Sequence, residues 1–267
     1  MFVVKMAGFL LSYANPLNDS AMEQVKSEQI RIADSAWSAR KSYLEASASS
    51  GVGFGGLLDE EQEFADDIGY SVATTRSLSD AKPAVIMISA IGVGIGIWNQ
   101  FSSKADLGLG YRFHLEQAET QLPGKSETVL NAHEVALRGR YWLFRRLNFQ
   151  IGPQIGWGWN WGQLNRYGLE QNAQFMDPTL SASERSEVTT YLRKANQDLS
   201  FNGSVVEFGG VMNVRIVPAF VLGGGILAAR RKLNLSSSDP LKEYQRSYPS
   251  SLTNWEASTQ LHVALLF

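Results

Sequence analysis

The 267-residue sequence predicts an all-β fold. The expected architecture is one antiparallel, membrane-spanning β-barrel of about eight strands, preceded by a helical segment. Three observations predict it. The end of the chain places Leu261, Val263, Leu265 and Phe267 on one face of a strand, with Gln260 and His262 on the other. Between Leu147 and Gly162, Leu147, Phe149, Ile151, Pro153, Ile155, Trp157, Trp159 and Trp161 alternate with Asn148, Gln150, Gly152, Gln154, Gly156, Gly158 and Asn160. The expected strands are also joined by alternately short and long connections. Successive strand side chains point to opposite faces. Such segments therefore offer one apolar face for lipid and one polar face for a barrel interior, the reverse of a water-soluble barrel.

Composition narrows the chemistry. The chain is 44% apolar and 19% charged with a net charge of -2, which supplies no basic face for nucleic acid. Its lack of cysteine excludes disulfide scaffolds, thiolate metal sites and cysteine catalysis. The sequence contains no P-loop, no dinucleotide-binding glycine motif before a helix, no HExxH and no GxSxG. No cofactor, metal site or catalytic residue is expected.

Residues 1–14, MFVVKMAGFLLSYA, look like a short export signal, with one early cation at Lys5, an apolar run from Met6 to Leu11, and small residues at Ser12 and Ala14. The alternative is a retained first strand. Residues 15–68 read as a helical segment and linker. Ser20-x-x-Glu23 is a capping box that opens a helix running to about Ala46. Met22, Val25, Gln29, Ile32, Ala36, Ala39 and Tyr43 recur at spacings of three and four, the seam of a helix that packs on its own barrel, plugs the lumen, extends into the periplasm, or contacts a second copy or a protein partner. GVGFGG (51–56) reads as a linker, and DEEQEFADD (59–67) as an acidic helix without the ligand spacing of a calcium loop.

The barrel is expected over residues 69–267, with 69–78 as strand one. Residues 83–98 form sixteen positions without charge, close to the minimum for a transmembrane helix. However, Ile91, Val93, Ile95 and Ile97 alternate with Gly92, Gly94 and Gly96, which favours a strand. Strands are expected at 84–99, 105–116, 133–144, 147–161, 204–216, 219–231 and 257–267. Short turns fall at Asn99–Lys104, Arg145-Arg146 and Val217-Pro218, and long connections at 117–132, 162–203 and 232–256. The middle one contains an expected helix near Ala182–Asn196, a candidate binding surface.

Aromatics sort by end. Trp98, Phe101, Tyr141, Phe144, Phe149, Phe220 and Phe267 fall near the short turns, while Tyr111, Phe113, Trp157, Trp159 and Trp161 lie toward the long connections. Two such girdles are expected where rings meet the membrane interfaces. Inward parity assembles a polar network of Asp106, Arg112, His114, Glu116, Glu134, Arg138, Arg140, Glu207, Arg215 and His262, joined by Gln150, Gln154, Asn213 and Gln260. Eight strands leave only enough room for side chains, so these charges must pair and plug the lumen. The alternative is a narrow polar path. Glycines at 92, 94, 96, 108, 110, 152, 156 and 158 make room for the arginines. His114 and His133 fall near the long-connection rim with opposite parity. Arg230, Arg231 and Lys232 emerge at that rim as a candidate cluster for lipid phosphates.

Strand rhythm, girdles and the terminal Phe267 together resemble the small eight-stranded outer-membrane β-barrel proteins of Gram-negative bacteria. The resemblance covers roughly residues 69–267. It implies an integral outer-membrane protein with short turns in the periplasm, lipid and lipopolysaccharide around it, and a terminal aromatic selected by the barrel assembly machinery. It implies a structural or surface-interaction role and no enzymatic activity. Some members modify lipids with a His, a Ser and an acid, but no serine lies within one or two strand positions of His114 or His133. A narrow pore, an outer-leaflet lipid enzyme and a subunit of a larger envelope assembly are the alternatives.

Overall fold

A computed structural model describes residues 23–28, 42–56, 85–120, 126–146, 148–168, 181–195, 198–236 and 250–267. The strands are β1 (Ser42–Gly55), β2 (Val85–Ser102), β3 (Ala105–Thr120), β4 (Ser126–Tyr141), β5 (Phe144–Arg146), β6 (Phe149–Tyr167), β7 (Asp198–Val217), β8 (Phe220–Leu235) and β9 (Ser251–Leu266). All neighbours pair antiparallel, and contact between β4 and β6 closes the sheet. β5 continues β4 across a bulge: Arg140 faces Gln154 and Phe144 faces Ile151, a shift of one residue. The bulge lets Trp142 point inward while Leu143 and Phe144 both face out. Counting β4 and β5 as one strand gives a closed eight-stranded barrel.

The first strand is not where the sequence places it. β1 spans Ser42–Gly55 and closes the barrel, pairing Tyr43 to Trp98 on one side and to Leu266 on the other. Within it, Tyr43, Glu45 and Ser49 face inward while Leu44, Ala46, Ala48, Val52 and Phe54 face outward, a period of two. The barrel therefore begins at Ser42, the expected helix cannot reach Ala46, and residues 51–56 are not a linker. Helix is present at 23–28, with every residue exposed. The readings of 1–14, 59–67 and 69–78 lie outside the described residues. The charge-free run 83–98 falls largely within β2, and no helix among the described residues is long and apolar enough to cross a membrane.

The short turns fall at residues 103–104, 147–148 and 218–219. At the other end the strands run further than expected: β3 and β4 are joined by residues 121–125, and β6, β7, β8 and β9 each extend well into the anticipated connections. At 16 to 20 residues, β2, β3, β4, β6, β7, β8 and β9 exceed the roughly 9–11 residues that cross a bilayer. The extra length carries a different pattern. Toward the short turns the outer face holds Ile95, Leu109, Leu137, Ile155, Ile226 and Leu261, each more than half exposed. In water, each such side chain would forgo about 1.5–3 kcal/mol of burial. Toward the long connections the outer face becomes Gln163, Ser200, Asn202, Lys232 and Asn234. There the inner face carries an apolar layer, with Leu130, Ala132, Leu164, Leu199, Phe201, Leu233 and Leu252 in one buried cluster, and beyond it lie the buried Thr128 and Arg166. The barrel is thus membrane-like over one part of its height and soluble-like over the rest. On β6 the lipid-facing part runs from Ile151 to Trp161, eleven residues whose ten steps span about 25 Å when tilted about 40°.

The expected helix in the long connection is present as α1 (Ala182–Ala195). Ser181 caps it: its Oγ accepts from the Glu184 N–H at 3.3 Å, and Glu184 Oε2 accepts from the Ser181 N–H at 2.8 Å.

Candidate functional site: a charged lumen under an apolar cap

The interior toward the short turns and middle is ionic. β4 contributes Glu134, Arg138 and Arg140; β3 contributes Asp106, Arg112, His114 and Glu116; β7 contributes Glu207. All are buried, as the sequence parity requires. Arg138 grips Glu207 with two bonds, Nε to Oε2 at 2.6 Å and Nη2 to Oε1 at 3.1 Å. Arg112 donates to the same Glu207 Oε1 at 2.8 Å and lies 3.8 Å from Glu134. Glu134 accepts from Arg231 Nε, and Arg231 Nη1 meets Glu256 at 2.6 Å and Glu116 at 3.3 Å. Glu116 pairs with His114 Nε2 at 2.8 Å and accepts from Asn254 Nδ2. These contacts make one chain of charges across the lumen, from Arg138 to His114. Bidentate guanidinium–carboxylate contacts satisfy the direction as well as the charge of both partners.

A second cluster lies nearer the short turns. Arg140 donates to both Glu45 oxygens, at 2.6 and 2.9 Å, and through Nε to Gln154 at 2.7 Å. Its guanidinium lies 3.8 Å from the Trp98 ring centre, and Trp98 stacks on Tyr43. Tyr43 Oη and Trp142 Nε1 both donate to Asp106 Oδ2, at 3.0 and 2.8 Å. His262 Nε2 bonds Asn213 Oδ1 at 2.7 Å. Arg215 is half-buried on β7.

Glycines decide where the cations fit. A Cβ on Gly110 would collide with Arg138 Nη1, and one on Gly108 with the Trp98 ring. The arginine and the indole occupy the volume those side chains would have filled.

Two expected assignments are corrected. Trp98, expected in the girdle, is buried in the lumen, because it shares parity with Gly92, Gly94 and Gly96. Arg231, expected at the rim, is fully buried at the centre of three carboxylates, while its neighbours Arg230 and Lys232 do face outward. The other girdle residues face as expected: Tyr141, Phe144, Trp157, Trp159, Trp161 and Phe267 are exposed and Phe149 half-buried. His133 faces outward, bonded through Nδ1 to Tyr111 Oη at 2.7 Å and stacked on Trp161. It is therefore separated from His114 by the barrel wall.

Glu45, Glu256, Tyr43 and Trp142 are interior residues that sequence reasoning missed. Parity was the available signal: Glu256 lies two residues before Ser258 on β9's inward face, just ahead of the expected strand start. Ligand atoms of His114, Glu116 and Glu256 lie within 4.8 Å of one another, close enough for a metal ion. Arg231 already supplies a permanent cation at that point, since guanidinium stays protonated.

No protein-family model and no curated protein matches the sequence. Among solved structures, the chain is similar to the outer membrane protein OprG from Pseudomonas aeruginosa, at 9% identity and a TM-score of 0.38 over 85% of this chain and 96% of that one. Neisserial surface protein A is similar at 9% identity and a TM-score of 0.41, covering 85% and 97%. The outer membrane protease OmpT from Escherichia coli is similar at 8% identity and a TM-score of 0.40, again covering 85% and 97%. The barrel assignment rests on the closed strand register rather than on these likenesses. By that register, its ionic interior and its apolar outer belt, the chain is an eight-stranded membrane-spanning β-barrel, resembling the small outer-membrane barrels.

Proposed function

We propose that the protein is an integral outer-membrane β-barrel of a Gram-negative bacterium, with a plugged lumen and a structural or surface-interaction role rather than an enzymatic one. The observation that carries this reading is the two-layer filling of the interior. Arg112, Arg138, Arg140 and Arg231 each meet a carboxylate, and above them the Leu130–Leu164–Phe201–Leu233 layer is apolar. A permeating ion would have to break the pairs and cross the apolar layer without hydration. The non-enzymatic reading draws support from the histidines. His114 is fully buried against Glu116, and His133 is held by Tyr111 on the lipid side.

With the lumen closed, the surface left for interaction is the end carrying the long connections and α1. We place that end outside and the short turns in the periplasm, with the barrel assembly machinery as the folding partner. Residues 23–28 are a candidate contact for a second copy or another envelope protein. Planar-bilayer recording of the purified, folded protein tests the reading: no steady conductance is expected. A stable ohmic conductance that changes on Arg138→Gln would overturn it in favour of a narrow pore.

A further inference from the structure

The outer wall formed by β7, β8 and β9 is not smooth. Gly210, Gly224 and Ala257 form the floor of a groove of about 760 Å³, and Phe208, Ile226 and Leu261 stand along its sides. The groove lies within the apolar outer belt, where lipid chains are the surrounding solvent. Its upper end meets charge. On β8 the outward column continues from Gly224 through Ile226 and Ala228 to Arg230 and Lys232. Ala228 faces Ala257 and Arg230 faces Trp255 across the β8–β9 pair. The Arg230 guanidinium lies 5.9 Å from the Trp255 ring centre. Among the described residues neither Arg230 nor Lys232 has a carboxylate partner.

We propose that this wall binds one phosphate-bearing acyl lipid, with a chain in the glycine-floored groove and its phosphate between Arg230 and Lys232. Charge complementarity selects the head group, because an Arg and a Lys facing outward at the end of an apolar belt, with no carboxylate partner among the described residues, favour phosphate oxygens. The groove selects a chain, because removing Cβ atoms at Gly210 and Gly224 opens a slot that an unbranched hydrocarbon fills. Gly224 to Arg230 is six residues, about 20 Å along a strand, so head and chain sites are in reach of one molecule.

The proposal rests on the membrane reading above, and its test separates the two. The full chain is folded into phosphatidylcholine vesicles containing a minor fraction of phosphatidic acid, and lipids retained on extraction are counted by native mass spectrometry. Wild type is expected to keep one phosphatidic acid in preference to phosphatidylcholine. Arg230→Gln/Lys232→Gln should lower that occupancy about tenfold or more. Gly210→Leu should lower it through the groove alone, since a Cβ there meets nothing within 4 Å. Both variants should keep heat-modifiable gel migration. Equal occupancy in wild type and variants, or equal retention of phosphatidylcholine, would overturn the site. Stripping by inorganic phosphate with no effect of Gly210→Leu would reduce it to a head-group contact and sink the groove. Failure of the membrane reading would show separately, as wild-type protein that neither enters vesicles nor shifts on heating.

Discussion

Replacing Arg231 by Met, beside a Lys232→Met control, is the sharpest test of the interior. The two residues are adjacent on β8 but face opposite ways: Arg231 is fully buried and Lys232 is exposed. Arg231 Nη1 lies 2.6 Å from Glu256 and 3.3 Å from Glu116. At an effective dielectric of about 20, the two contacts are worth roughly 6 and 5 kcal/mol of attraction. Desolvation of the buried charges offsets much of this, so the net value of the cluster against apolar filling is small. Removing one partner is different, because Glu116, Glu134 and Glu256 are left facing one another without their cation. Breaking a buried pair this way costs about 3–5 kcal/mol. Lys232→Met removes an exposed side chain and should stay within about 0.5 kcal/mol of wild type. Urea unfolding of the barrel in short-chain phosphatidylcholine vesicles, followed by tryptophan fluorescence, measures both. An Arg231→Met barrel within about 1 kcal/mol of Lys232→Met would refute the pairing that fills the lumen.

Other outcomes follow from the same geometry. Ile95 is 61% exposed on the belt, so Ile95→Lys should cost about 2–4 kcal/mol in vesicles, while Asn202→Lys on the polar upper wall should cost little. Equal effects would argue against the membrane belt. Gly110→Val should destabilise by about 1–3 kcal/mol, because Arg138, held by Glu207, cannot yield to the new side chain. A wild-type urea midpoint would refute that. The Ser181 hydroxyl, then its backbone N–H, hold the Glu184 carboxyl below the usual glutamate range. Its capping of α1 is therefore present above that range and is lost as pH falls through the lowered value. Carbon-detected NMR of Glu184 should show the titration move toward the ordinary range in Ser181→Ala, which removes the hydroxyl and keeps the N–H, with barrel stability unchanged.

Parity carried most of what the sequence revealed. Asp106, Arg112, His114, Glu116, Glu134, Arg138, Arg140, Glu207 and His262 all face inward as the two-residue period requires, because a strand has no other way to orient them. Parity is masked where a second local signal competes with it. Trp98 resembles a girdle residue because it is aromatic and near a turn, yet its even position puts it in line with the inward glycines. Arg231 stands in a cation run with Arg230 and Lys232, although the strand continues through it and turns it inward. Tyr43 fitted a helical stripe that also reached Ile32 and Ala39. The same residue begins an alternation of Tyr43, Glu45 and Ser49 against Leu44, Ala46 and Ala48. The strand ends are hard to read in the sequence because the outer face turns polar there, which locally looks like the start of a loop.

The sequence by itself determined the strand class, the sidedness of each strand and the ionic character of the interior. These are local properties, set by a period of two and by which residues can face lipid. Only the tertiary structure decided which carboxylate holds which arginine, since Glu207 reaches Arg138 across 69 positions and Glu116 reaches Arg231 across 115. It also decided that β1 closes against β9, and that Leu130, Phe201 and Leu233 meet as a cap. Those facts depend on closure, which brings distant strands to one axis and has no signature in any single segment.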